Sequence, residues 1–467
     1  MDAYKEFLEK KKIIDLGSGV ISKHKINPIL YPFQIAITEW ALKRGRAAIW
    51  ADCGLGKTFM QLEWARIVAK ETSKPVLILA PLAVSRQTIR EGKKLDIEVV
   101  YARGQKQVAP SGLTISNYEM LEHFDTSRFS GIVLDESSIL KNYAGAFRNL
   151  VIDTFAKTPF KLACTATPSP NDYMELGNHS EFIGSMTRAE MLTTFFVHDM
   201  TETQAWRLKR HAKNDFWKWL TSWAVMVRKP SDIGFSDEGY DLPELKFHQH
   251  ILDDDKPTPG FLISMPAVSL EEQRKVKRDS IEERSTMTCA IVEKVKGPAL
   301  VWCELNDESK LISKTLGCPE ITGSDSPEEK ESALMDFVDK KERVIVTKPS
   351  IAGLGMNFQH CADMVFCNLT HSYEDLYQAV RRCWRFGQKK TVNVHQIMMR
   401  SEMAILENMQ RKQREADNMA EEMEKHMRTS MASNLGRTAR KTDYIGTTGK
   451  LSLPEFLRGN NEKYSAR

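Results

Sequence analysis

The segment Ala51-Asp52-Cys53-Gly54-Leu55-Gly56-Lys57-Thr58 constrains this chain more than any other. It follows a short apolar run, Ala47–Trp50, and precedes a helical pattern beginning at Phe59. A glycine-rich loop between a strand and a helix turns backbone N–H groups inward at the positive end of the helix dipole, the requirement for cradling phosphates. In that geometry Gly54 and Gly56 allow the tight loop, Lys57 reaches the β- and γ-phosphates, and the Thr58 hydroxyl holds Mg²⁺. The chain is therefore expected to bind a nucleoside triphosphate, ATP with Mg²⁺, on an α/β scaffold.

Short, almost wholly apolar runs recur on both sides of this loop. Ala47–Trp50, Val76–Ala80, Glu98–Tyr101, Leu113–Ser116, Ile132–Leu134 and Lys161–Thr165 alternate with helical stretches. A second block repeats the pattern at Leu300–Cys303, Arg343–Val346, Met364–Cys367 and Val392–Ile397. Strands this uniformly apolar are covered on both faces, so each block predicts a parallel sheet flanked by helices. The expected divisions are an N-terminal helical extension (1–24), a first lobe (25–170), a helical insertion and linker (171–290), a second lobe (291–400), and a C-terminal helix with a basic tail (401–467).

The composition excludes little else. A net charge of +4 over 467 residues does not demand a polyanionic partner, so any basic surface must come from local clustering. No apolar run approaches the roughly 20 residues that span a bilayer, and no membrane association is expected. The eight cysteines are scattered without metal-ligand spacing, which predicts reduced thiols and a cytoplasmic protein.

Four further segments carry chemistry. Asp135-Glu136 ends the Ile132–Leu134 strand, where an α/β sheet binds ligands. Asp135 is the candidate Mg²⁺ holder, and Glu136 the candidate acceptor of a proton from attacking water. Thr165-Ala166-Thr167 offers two hydroxyls that can link this acidic pair to a neighbouring lobe. Arg382 and Arg385 are three residues apart on a predicted helix, so they share a face and can reach across a cleft to a γ-phosphate. Upstream, Gln34 offers a donor and an acceptor suited to the adenine edge.

The ordered set LYPFQ, ADCGLGKT, LILAPLAV, DESS, TATP, GLGMNF and QAVRRCWRFGQ resembles helicase superfamily two. Its closing R-x-x-R-x-G-Q is similar to the Swi/Snf-type branch, and TATPSPNDYMELG and RRCWRFGQ look like compact phage and prophage versions. The resemblance implies two RecA-like lobes in tandem and ATP in the cleft between them. DNA would lie across both lobes, with duplex favoured and single strands the alternative. It assigns catalysis to Lys57, Asp135, Glu136, Arg382 and Arg385, with Arg385 as the finger. Nucleotide contacts fall to Gln34, Gly54, Gly56, Lys57, Thr58, Asp135, Gly355 and Gln388. Nucleic-acid contacts fall to Pro81, Thr114, Asn117, Tyr118 and Asn357. A bacterial or phage-infected cell is the implied setting. Ser137-Ser138 replaces the usual Ala-His, and Lys348–Ala352 departs from the usual Ser-Thr-Lys-Ala-Gly run.

Two stretches remain open. Phe216, Trp219, Leu220 and Trp223 follow helical spacing and suit either core packing or base stacking. Met419, Met423, Met427 and Met431 stripe a long charged helix, which with the tail is the candidate site for a protein partner.

Overall fold

A computed structural model describes residues 18–141, 145–198, 206–253, 270–352 and 357–434. The first lobe is a seven-stranded sheet whose strands are β1 (Arg46–Ala51), β2 (Val76–Ala80), β3 (Val99–Tyr101), β4 (Leu113–Asn117), β5 (Gly131–Asp135), β6 (Phe160–Thr165) and, after a small antiparallel hairpin of β7 (Phe196–His198) and β8 (Trp206–Leu208), β9 (Ala224–Val227). Its order is β3-β4-β2-β5-β6-β1-β9, and every pairing is parallel. The second sheet holds β10 (Leu245–Leu252), β11 (Ala299–Trp302), β12 (Val344–Thr347), β13 (Asp363–Phe366) and β14 (Val392–Met399) in the order β10-β14-β13-β11-β12, again all parallel. These are two RecA-like lobes in tandem. β2, β4, β5 and β6 are buried along their whole length, which is why they read as largely apolar runs, with Thr114, Ser116 and Lys161 among the buried polar exceptions.

The intervening stretch is more than a helical insertion. It supplies β9 as the edge of the first sheet beside β1, and β10 as the edge of the second beside β14. The chain thus passes from lobe to lobe through two edge strands. β10 carries Phe247 and Ile251 half-exposed, a pattern too weakly apolar to announce a strand.

The tryptophan stripe belongs to the core. Phe216, Trp219, Leu220 and Trp223, on the helix Lys213–Trp223, are buried against Phe195 and Trp50, so base stacking by these rings is ruled out. The C-terminal helix, Met403–Asn434, spans both lobes. Ile405, Leu406 and Met409 pack in the second lobe, and Met419, Met423 and Met427 enter the core of the first. That methionine face is therefore occupied within the chain, and Arg437, Arg440 and Lys441 of the tail lie outside the described residues. All eight cysteines are free thiols, and no helix among the described residues is long and apolar enough to cross a membrane.

Candidate active site between the lobes

The phosphate loop leaves β1 at Ala51 and enters the helix Lys57–Thr72. Gly54 and Gly56 both take left-handed φ values, 91° and 77°, which glycine alone adopts without a steric cost. A Cβ on Gly56 would stand 2.3 Å from Gln34 Nε2, and one on Gly54 would stand 3.4 Å from the Phe386 backbone nitrogen of the second lobe. The second lobe thus closes directly over the loop. Lys57 Nζ donates to the Ala51 carbonyl at 2.7 Å.

Gln34 is buried beneath this loop. Its Nε2 donates to Leu55 O at 2.9 Å, and its Oε1 accepts from the Tyr31 N–H at 2.9 Å. Gln34 is thus a strut joining Tyr31 to the phosphate loop, with one donor and one acceptor site of its amide engaged.

β5, β6 and β1 are neighbours, so their C-terminal ends bring the acidic pair, the Thr165–Thr167 turn and the phosphate loop together. Asp135 is buried, and its pKa rises from the ordinary 3.8 to about 7 through desolvation and then Glu136 repulsion, with Lys57 offsetting only part. Glu136 sits at φ 56°, a left-handed conformation that a side-chain-bearing residue holds only when its surroundings impose it. Thr165 Oγ1 donates to Glu136 Oε2 at 3.3 Å.

The expected hydroxyl link reaches the second lobe. The Thr167 N–H donates to Thr165 Oγ1 at 3.1 Å, and Thr167 Oγ1 donates to Glu374 Oε1 at 3.3 Å. Glu374 also pairs with Lys141 Nζ at 2.5 Å and accepts from Gln378 Nε2 at 3.3 Å. Ser137, where the family pattern has Ala, lies 3.1 Å from His179 Nε2. Burial lowers the His179 pKa to about 4, so this imidazole is neutral at physiological pH.

Glu374, Gln378, Arg381, Arg382 and Cys383 share the helix Tyr373–Cys383, started by Ser372, whose Oγ accepts from the Asp375 N–H at 3.2 Å. Arg382 is buried near its end. Arg385 lies just beyond, in the turn that covers Gly54, and burial followed by Arg382 repulsion lowers its pKa. The arginine that grips the loop, however, is Arg381. Its Nη2 pairs with Asp52 Oδ2, while the Tyr377 hydroxyl donates to Asp52 Oδ1. Reading Arg382 and Arg385 as the loop-facing pair missed this contact, and also missed Asp52, Lys141, Glu374 and Tyr377. The available signal was the spacing of Glu374, Tyr377 and Arg381 along one face.

Other expected site residues are displaced. Thr114 is fully buried inside β4 and has no route to a polynucleotide. Tyr118 is buried too, and its hydroxyl donates to the Asp135 carbonyl at 2.7 Å, so it braces the acidic turn. Neither side chain presents surface in this arrangement. Asn117 is nearly buried and accepts from Tyr101 at 3.3 Å. Pro81, ahead of the helix Leu82–Lys94, is half-buried, and Asn357 is exposed. Gln388 donates to Cys361 O at 2.9 Å and accepts from the Lys389 and Lys390 N–H groups, which makes it a support within the second lobe. Gly355 lies outside the described residues.

Comparison with known proteins agrees with this arrangement. Residues 27–170 match the family described as the res subunit of type III restriction enzymes, and residues 283–387 match the helicase conserved C-terminal domain. The mouse DNA annealing helicase and endonuclease ZRANB3 is 24% identical over 428 residues, covering 80% of this chain and 39% of the relative. A Xenopus laevis SWI/SNF-related, matrix-associated, actin-dependent regulator of chromatin, subfamily A-like protein 1, is 23% identical over 414 residues, covering 79% of this chain and 42% of the relative. The chain is thus similar to helicase-type ATPases, and its long matches include a SWI/SNF-related protein. It spans about two-fifths of the length of these relatives. Among solved structures, the Sulfolobus solfataricus SWI2/SNF2 ATPase core in complex with double-stranded DNA is 18% identical, covers 81% of this chain and 90% of its own, and superposes with a TM-score of 0.42.

Helicase-type ATPases use ATP, generally with Mg²⁺, and the residues present fit the pair. Asp135 is a buried carboxyl whose raised pKa marks a charge awaiting a cation. The Gln61 amide, fully buried on the phosphate-loop helix, stands beside the Asp135 carboxyl and favours its ionised form. Thr58 stands in that helix's first turn. When bound, Mg²⁺ supplies charge neutralisation of the β- and γ-phosphates.

Proposed function

We propose that this chain is a DNA-dependent motor of the helicase kind, which hydrolyses ATP in the cleft between its lobes and uses the resulting closure to track along duplex DNA. The observation that carries the reading is the continuous hydrogen-bonded path from Glu136 through Thr165 and Thr167 to Glu374, because it ties the hydrolytic carboxylate of one lobe to the arginine helix of the other. Lys57 and Thr58 hold the phosphates and Mg²⁺, with Asp135 completing the metal site. Glu136 orients water and takes its proton. Arg385, with Arg382 beside it, stabilises the charge that develops on the γ-phosphate.

Charge stabilisation from the opposite lobe works only when the lobes hold the correct register, so turnover should depend on bound nucleic acid. Pro81 and Asn357 are the members of the expected nucleic-acid set with side-chain surface to offer, one from each lobe. The test is the ATPase rate without nucleic acid and with duplex DNA, single-stranded DNA or RNA, each at low and moderate salt. Strong stimulation by duplex supports the proposal. Stimulation by single strands alone would replace it with a strand-separating helicase, and turnover near zero with every polymer would leave a nucleotide-gated binding module.

A further inference from the structure

Asp52, Tyr377 and Arg381 form a cluster that neither the motif pattern nor the catalytic assignment uses. Asp52 is fixed twice within the first lobe. Its backbone N–H donates to Val227 O of β9 at 2.9 Å, and its Oδ1 accepts from the Cys53 N–H at 2.6 Å. On the other side, the Arg381 guanidinium lies 4.2 Å from the Trp384 ring centroid and 5.2 Å from that of Tyr377. Burial works against its charge, but Asp52 and Tyr377 more than offset this, and the group stays ionised. The ion pair is therefore buried, planar-stacked and directed.

The surroundings raise its importance. Asp52, Tyr377 and Arg381 line a cavity of about 770 Å³ that extends to Met409 and Met419 of the C-terminal helix. Close packing is thus lacking on that side, and specific polar contacts must fix the lobes' register. The helix Tyr373–Cys383 has two such anchors, Glu374 on Lys141 and Thr167, and Arg381 on Asp52. They are seven residues apart, about 10 Å at 1.5 Å per residue. One anchor would let the helix pivot; two set its direction. Arg382 and Arg385 immediately follow the second anchor.

We propose that Arg381 and Asp52 are positioning residues, an inter-lobe clasp that aims the Arg382–Arg385 turn at the phosphate loop. The proposal rests on the ATPase reading above and deepens it. A misplacement of about 1 Å at a reacting centre can cost on the order of 100-fold in rate. The clasp therefore acts on turnover, whereas ATP is held chiefly by the loop it leaves intact.

The test compares Arg381→Gln, Arg381→Lys, Asp52→Asn and the Asp52→Asn/Arg381→Gln double variant with the parent. The readouts are DNA-stimulated kcat, KM for ATP, and the small-angle scattering radius of gyration of the nucleotide-free chain. The neutral substitutions preserve hydrogen-bonding groups, and the double variant leaves no unpaired buried charge that could unfold the protein. We expect each single neutral variant to lose about tenfold or more in kcat with KM within about twofold. The double variant should be no worse than either, Arg381→Lys should recover part of the rate, and Arg381→Gln should have a larger radius of gyration. Parental kcat and dimensions in Arg381→Gln would overturn the clasp, as would additive losses in the double variant or a rise in DNA-free turnover. If the parent itself shows no nucleic-acid-stimulated hydrolysis, the motor reading fails, and the scattering comparison alone decides whether the clasp joins the lobes.

Discussion

Replacing Asp135 by Asn should make the nucleotide-free protein more stable while removing its activity. In the folded chain the Asp135 carboxyl is raised from 3.8 to about 7, by burial first and Glu136 second. Between those two values the unfolded chain has released a proton that the folded chain retains, so stability falls as pH rises and levels off above about pH 7. At 1.36 kcal/mol per decade, the ionised site costs the folded state up to about 4 kcal/mol at pH 8 and about 1.6 kcal/mol at pH 5. Asparagine is nearly isosteric and carries no charge. The variant should therefore gain about 2 to 4 kcal/mol at pH 8, raising the melting midpoint of the nucleotide-binding lobe by about 5 °C or more. The gain should shrink as pH falls towards 5. Thermal denaturation in EDTA at pH 5 and pH 8 measures it, and Mg²⁺ with ATP should then stabilise the parent more than the variant. A variant no more stable than the parent at pH 8 would refute the argument, because the buried charge would then carry no cost.

Other expectations follow from the same cleft. Lys57→Ala or Glu136→Gln should abolish ATP hydrolysis, and substantial turnover in either would withdraw the assignment. Arg385→Ala should bind ATP normally by equilibrium titration yet lose about 10³-fold in kcat; lost nucleotide binding would instead make this arginine structural. Glu374→Gln keeps the size of the side chain but surrenders its charge to Lys141, and stimulated kcat should fall by about tenfold without a matching change in KM. An unchanged kcat would mean that the Thr167 link does not couple the lobes.

The expected strands agree with the observed ones to within a residue or two in both lobes, because a parallel strand buried on both faces must be an apolar run. The phosphate loop was equally legible, since Gly54 and Gly56 are demanded by φ values only glycine adopts freely. β9 and β10 were not. β9 reads as the continuation of the tryptophan helix, and half-exposed β10 sets Lys246, His248, Gln249 and His250 among only four apolar residues. β10 is an edge strand that buries too little to leave a clear signal, whereas β9 is buried but only four residues long and follows the helix directly. The tryptophan stripe illustrates the same limit, since helical spacing marks one face of a helix but not what that face meets.

The sequence by itself determined the chemistry available to this protein: a phosphate loop, an acidic pair at a strand end, two flanking hydroxyls and a run of arginines, each defined by neighbours within a few residues. Only the tertiary structure decided which of these groups meet. Arg381 and Arg382 differ by one position, which on a helix is a rotation of about 100°. Ala379, Val380 and Cys383, buried in the core of the second lobe, fix that rotation and turn Arg381 towards Asp52. The left-handed backbone of Glu136 is likewise imposed by its surroundings, including Thr165 and the braced Asp135 carbonyl. Local order is written in covalent sequence and backbone preference, whereas the partner of a side chain across a cleft depends on helix rotation and lobe packing, which sum contacts from the whole chain.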